Sequence, residues 1–540
     1  MSFQARKAQR LRRERASDTR APPNEEPAEP VYALQNTPLD IDASPTHGRG
    51  LRIAAGSGGV AAGTTLLAVE AVSALNTTQL GVRCHYCFAR REQGLLRCSR
   101  CRFARYCDAT CQAAGWKQAR HRDECDALAR WYAGADTLPD FDRDPGPSVR
   151  VLAQLLWLRR RHGPAWWAPF AAMQSHRQDA PAAQRDEAAQ VAVRLAQFVG
   201  SEAGLRALGI DRAKSLLELV CQCLTNAFTL TDAQLDPIGA ALNPTAALLN
   251  HSCTPNTVVV FSSATEHARC PMEVVALRDL AEGEPIYTSY VDLAAPLPVR
   301  QQTLQERYYF TCKCRLCTRG HWVDPRTARW CARPGCHGWV APAARPRCCH
   351  CRAGEVDTAA KEALVAEALD LVPKIHRGMH TQLDEPLLAQ LRALLPRLSA
   401  VVPPSNYAMW TLVHAAHVLA IERRDWDEAT QLTMLLCAGM QARGARDEPS
   451  SLYPEGHPQR AVLLATLGRL LLQEASSSPS PLLARPVPMP TTPEARALLA
   501  HDVLQQALAE AQCGFGSRTH GGWVAESVRE SLRNIEQGCL

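Results

Sequence analysis

Eight soft metal ligands crowd into residues 84–125: Cys84 and Cys87, Cys98 and Cys101, Cys107 and Cys111, His121 and Cys125. Pairs three or four residues apart can each wrap one side of a metal, and zinc takes four Cys/His ligands at roughly 2.0–2.3 Å. Eight ligands therefore make two tetrahedral sites. A stretch this short and polar has little core of its own, so bound metal must supply much of its folding free energy. The chain holds 22 cysteines in all, mostly in such short pairs, which reads as metal ligation rather than a disulfide framework.

At 540 residues with 46% hydrophobic composition, the chain can build several cores and reads as three or four units. No run approaches the ~18 apolar residues that a membrane span needs, and the basic N-terminus is followed by no apolar stretch. The expectation is a protein that is neither secreted nor membrane-inserted, placed in the cytoplasm, the nucleus or both. The net charge of +6 comes largely from Arg6, Lys7, Arg10, Arg12, Arg13, Arg15 and Arg20, so the folded part carries no nucleic-acid footprint. Residues 1–30, basic and then Pro/Glu-rich, read as a disordered tail. Nucleic-acid binding through its Arg run is the disfavoured reading beside that of a solvated tail.

Past the tail, residues 31–83 read as strands, with His47-Gly48-Arg49-Gly50-Leu51 before an apolar segment. Two glycines about an arginine permit a tight turn or close backbone approach to a ligand. Residues 126–240 are Ala-, Leu- and Arg-rich with helical period and read as an all-helical insert. Trp166 and Trp167 read as core, and Cys221 and Cys223 as buried structural thiols. Residues 241–295 hold a polar interruption in an apolar run, Asn250-His251-Ser252-Cys253, followed by strands and a turn at Gly283. In 296–320, Cys312, Cys314 and Cys317 are three ligands, one short of a closed tetrahedron. In 321–355, Cys331 and Cys336 with Cys348 and Cys351 have the spacing of a small zinc ribbon, with Cys349 beside them. Residues 356–540 are helical by period and suggest a tetratricopeptide-like array, broken by the Pro/Ser-rich stretch SSSPSPLLARPVPMPTTP. His414 and His417 on one of its helices read as core or groove residues.

Five motifs in order resemble those of the SET and MYND domain-containing (SMYD) lysine methyltransferases. They are G-R-G-L at 48–51, the finger at 84–125, N-H-S-C-x-P-N at 250–256, G-E-x-I with S-Y at 283–290, and Y-x-F-x-C-x-C-x-x-C at 308–317. The resemblance implies an α+β protein: a β-rich SET core, an inserted MYND zinc finger and helical insert, a post-SET zinc site and an all-α C-terminal domain. It pairs the ligands as Cys84, Cys87, Cys107 and Cys111 on one zinc and Cys98, Cys101, His121 and Cys125 on a second. Cys253 then completes a third with Cys312, Cys314 and Cys317. With the ribbon, three or four zinc ions are expected.

The implied cofactor is S-adenosylmethionine, held by Gly48, Arg49, Gly50, Asn250 and His251, with Asn226 nearby. Tyr290 and Phe310 are the implied catalytic pair at the sulfonium methyl, and Tyr290 and Tyr308 line the lysine channel. The implied partner is a substrate protein bearing lysine, the finger is expected to take proline-rich peptides, and the chain is expected to be a monomer. A scaffold built on the finger and helical array, with a vestigial SET core, is the alternative. One departure is Pro285, at a position usually acidic or polar, which removes a backbone donor from its turn.

Overall fold

The computed structural model describes residues 29–44, 48–118, 121–133, 144–261, 268–320, 323–342, 347–354, 359–381, 385–441, 451–473, 490 and 492–538. Residues 1–28, His47 and most of the Pro/Ser-rich stretch therefore lie outside the described residues.

Alternation builds the first hairpin. In the strand Gly48–Ile53, Leu51 and Ile53 point inward, 1% and 0% exposed, while Arg52 stays outside, and the strand pairs antiparallel with Leu39–Ser44. Each such buried aliphatic is worth roughly 1.5–3 kcal/mol of transfer free energy. Two three-stranded sheets follow. One orders Thr257–Phe261, Met272–Ala276 and Thr65–Val69, and the other Val72–Leu75, Pro237–Leu242 and Phe228–Thr231. The middle strand Met272–Ala276 is buried along its whole length and carries one carboxylate, Glu273, answered by Arg518 at 2.8 Å.

The finger opens with the short hairpin Leu96–Arg97 and Arg105–Tyr106 and closes on the helices Ala109–Lys117 and His121–Ala133. Asp108 caps the first of these by accepting from the Cys111 amide at 2.8 Å. The insert then runs through Pro147–Ala171, Ala182–Val199, Ser201–Ala207 and Ala213–Asn226. It ends sooner than the sequence suggests. Residues 228–242 pair as strands, because Phe228–Thr231 finds an edge on Pro237–Leu242 that helical period alone does not reveal. Trp166 and Trp167 both pack on Phe170, with ring centroids 4.7 and 5.6 Å away, and Cys221 and Cys223 are buried.

The C-terminal helices Ala359–Thr381, Glu385–Val401, Tyr407–Arg423, Trp426–Met440, Pro458–Leu471, Pro493–Gly514 and Gly522–Glu536 pack on successive neighbours around a second core. His457 caps the helix that Pro458 opens, its Nδ1 accepting from the Gln459 amide at 3.2 Å. Val260 and Val275 of the sheet belong to this core, so the helical domain is docked on the SET face.

Candidate active site and metal centres

The site is made by threading. Residues Asn250–His251 pair parallel with Tyr287–Thr288, and the loop beyond is pinned by Ser252 N to Thr288 O (3.0 Å), Asn256 N to Tyr287 O (3.2 Å) and Tyr287 N to Asn256 Oδ1 (2.7 Å). Two segments far apart in sequence thus lie side by side. That register puts the Tyr290 amide 3.0 Å from His251 Nδ1. Because Nδ1 accepts there, the neutral ring carries its proton on Nε2, which lies 3.2 Å from Cys253 Sγ.

Tyr290 donates its hydroxyl proton to the Leu249 carbonyl. Its ring centroid lies 4.7 Å from Tyr308, 5.3 Å from His251 and 6.5 Å from Phe310, the last nearly perpendicular at 84°. Desolvation, helped by neighbouring Tyr308, pushes its phenol well above the usual tyrosine range, so the hydroxyl is protonated at neutral pH. The same burial raises Tyr308.

A cavity of about 1410 Å³ runs past these rings, and Gly48, Arg49, Asn226, Asn250, His251, Tyr290, Tyr308 and Phe310 all line it. The structure therefore gathers every residue that the sequence singled out for cofactor, channel and chemistry, apart from Gly50, which sits just behind. Gly48 has φ +69°, a left-handed conformation that favours glycine. A Cβ on Gly50 would meet Asn250 Nδ2 at 2.6 Å, so only glycine lets the Asn250 amide reach the Arg49 carbonyl, 3.2 Å away. The Arg49 side chain donates to Tyr32 Oη (2.7 Å) and the Ala172 carbonyl (2.5 Å), both of which also line the cavity, so it is fastened along the wall. Asn226 donates to the Gln174 and Gln222 carbonyls, both at 2.8 Å. Pro285 costs its turn no structure. Its carbonyl accepts from Asn256 Nδ2 at 3.0 Å, and the flanking Glu284 carbonyl and Ile286 amide still bond to Ile53 and Leu51.

Four clusters bring their ligand atoms within 4.8 Å of one another: Cys84/Cys87/Cys107/Cys111, Cys98/Cys101/His121/Cys125, Cys253/Cys312/Cys314/Cys317 and Cys331/Cys336/Cys348/Cys351. A tetrahedron with zinc–sulfur bonds of ~2.3 Å has sulfur–sulfur edges of about 3.8 Å. The observed edges match: Cys87–Cys107 3.7 Å, Cys98–Cys125 3.8 Å, Cys253–Cys317 3.5 Å, Cys331–Cys351 3.7 Å and Cys336–Cys348 3.7 Å. His121 points Nε2 at Cys101 Sγ (3.5 Å), while Nδ1 faces the Glu124 carboxylate at 4.0 Å. Glu124 is in turn gripped by Arg150 at 2.7 and 3.3 Å, which fastens the finger to the long helix of the insert. Cys349 stays out of the fourth cluster and accepts from the Trp339 amide at 3.2 Å.

Three participants escaped the sequence reading. Tyr32 and the Leu249 carbonyl orient Arg49 and Tyr290, and Arg300 lies fully buried beside the post-SET thiols. A lone tyrosine, a main-chain oxygen and one arginine among many carry no motif.

A family model described as the MYND finger matches residues 84–125, and one described as the SET domain matches 153–291. N-lysine methyltransferase SMYD2-B of Danio rerio is 33% identical over 283 residues, 51% of this chain and 59% of that protein. The chain thus spans about three fifths of that relative's length. N-lysine methyltransferase SMYD2 of Homo sapiens is 28% identical over 398 residues, 73% of this chain and 82% of the relative. A solved structure of the SET domain of LSMT bound to lysine and AdoHcy covers 94% of this chain at 11% identity, with a TM-score of 0.33, too loose to carry an argument.

Proposed function

The chain belongs to the SET and MYND domain-containing (SMYD) family, and on that premise we propose that it is an S-adenosylmethionine-dependent protein-lysine N-methyltransferase. The observation that carries the proposal is the convergence of Gly48, Asn250, His251, Tyr290, Tyr308 and Phe310 on one cavity, with the Gly50–Asn250 approach that only glycine permits. The relatives named above are N-lysine methyltransferases, which supports the same reaction class.

When bound, S-adenosylmethionine supplies a sulfonium-activated methyl group for in-line displacement by an amine. The chain's own part is to hold, align and dry. The main chain at Gly48–Gly50 and the Asn250–His251 segment form the cofactor cradle. Tyr308 and Phe310 wall the cavity with rings, which disfavours a charged ammonium and so favours the neutral amine that can attack. Tyr290 has already spent its proton on the Leu249 carbonyl, so its oxygen is left as an acceptor that can orient an amine N–H. A phenol with a raised pKa is a poor general base, and its role here is positional and electrostatic.

The substrate class is a protein lysine, histone or non-histone, and the finger is assigned a protein ligand, for which the family resemblance favours proline-rich peptides. The four thiol clusters are assigned structural zinc. The experiment is transfer of labelled methyl from S-adenosylmethionine to a peptide or lysate panel. Incorporation by the wild type supports the proposal, and cofactor binding without any incorporation overturns it in favour of a scaffold.

A further inference from the structure

The helix Leu297–Tyr308 carries a side chain that the proposed reaction does not use. Among the described residues Arg300 is the largest fully buried side chain, only 1% exposed. Its Nη1 donates to the Ala295 carbonyl at 2.5 Å, its Nη2 lies 3.9 Å from Cys317 Sγ, and its Nε is buried without a partner. Among the described residues no carboxylate pairs with it, whereas the similarly buried Arg326 has Asp324 at 3.2 Å. A guanidinium stays charged in proteins and is strongly disfavoured in a dry interior without an opposing charge. The groups beside it able to supply that charge are the thiols of Cys317 and Cys253, which cluster with Cys312 and Cys314, and only as thiolates. Zinc bound by four thiolates carries a net charge of about minus two.

We propose that Arg300 is the countercharge of the post-SET zinc tetrathiolate, a positioning residue that holds the metal and, through it, the aromatic wall of the cavity. Two further contacts make the grip directional. Gln301, its neighbour, donates to the Cys312 carbonyl at 2.7 Å and accepts from the Cys312 amide at 2.9 Å. His251 brings its Nε2 to within 3.2 Å of Cys253 Sγ. Tyr308 ends the helix and Phe310 lies between it and Cys312, so both rings are suspended between Arg300 and the metal site.

The test uses the full zinc-loaded chain and reads metal, so its failure is separate from that of the proposed activity. Zinc release to a chromophoric chelator is compared for wild type, Arg300→Met and Arg300→Lys. Outer-shell substitutions typically cost about 10–100-fold in metal affinity, so Arg300→Met should release one zinc per chain at least about tenfold faster while the other ions keep the wild-type rate. Arg300→Lys, which keeps the charge, should retain the wild-type rate for all of them. The proposal is overturned if folded Arg300→Met releases every zinc at the wild-type rate, or if both variants lose the ion alike. Should the methionine chain fail to fold, the lysine chain decides: the wild-type rate supports the countercharge role and selective acceleration refutes it.

Discussion

Tyr290 is held by contacts at both ends, its amide on His251 Nδ1 and its hydroxyl on the Leu249 carbonyl, and both partners flank Asn250 in the sequence. The proposed catalytic ring and the proposed cofactor cradle therefore share one short piece of backbone, and disturbances to that piece should separate into binding and chemistry. Gly50→Ala places a methyl 2.6 Å from Asn250 Nδ2 and must displace the amide. We expect S-adenosylmethionine affinity to fall about tenfold or more, roughly 1.4 kcal/mol, with the melting temperature little changed. Titration calorimetry checks it. Much of this was legible in the sequence, because glycines that admit a backbone and aromatics that line a channel are recognisable as types in a motif. The Leu249 carbonyl and Tyr32 were not, since a main-chain oxygen has no letter and Tyr32 meets Arg49 only once the hairpin has folded.

Metal sites belong to the scale of elements, because each cluster joins segments that would otherwise have little to hold them. The finger's interleaved ligand assignment came from the family resemblance, while its eight ligands and two sites were readable from spacing, the pairs being local. The post-SET site was not, since Cys253 lies 64 residues from Cys317, and only the missing fourth ligand together with the family resemblance pointed to it. The four clusters predict about four zinc ions per chain by native or elemental mass spectrometry. Cys331→Ser should lower the count by one and leave methyl transfer intact. Cys253→Ser should also lower it by one, but with transfer reduced about 10–100-fold, because the segment bearing Phe310 loses its anchor. Equal effects of the two substitutions on transfer would contradict this division. The early end of the helical insert at Asn226 was not readable, because Phe228–Thr231 becomes a strand only through its pairing with Pro237–Leu242.

At the scale of the whole molecule, the helical domain is docked on the SET sheet through Val260, Val275 and the Arg518–Glu273 pair. It also reaches the cavity through His457 and Pro458. Its stability should depend on pH through His417, which is buried with Thr433 Oγ1 3.0 Å from Nδ1. Desolvation, aided by His414, lowers His417 from 6.5 to about 4. The unfolded chain then binds the proton first, so this contribution is complete above about pH 6.5 and is lost as the pH falls toward about 4. Thermal unfolding should therefore show a melting temperature that declines through that window, and His417→Gln should flatten the decline. That Val260 and Val275 are the receiving residues was not legible, because periodicity reveals amphipathic helices but not the strand positions on which they settle.

The account as a whole turns on Tyr290 acting on the reaction rather than on binding. The direct measurement pairs the S-adenosylmethionine dissociation constant with single-turnover methyl transfer for wild type and Tyr290→Phe. The predicted result is an unchanged dissociation constant with transfer slowed about 100-fold, since the ring stays in place and only the orienting oxygen is lost. Transfer at the wild-type rate by Tyr290→Phe would contradict it.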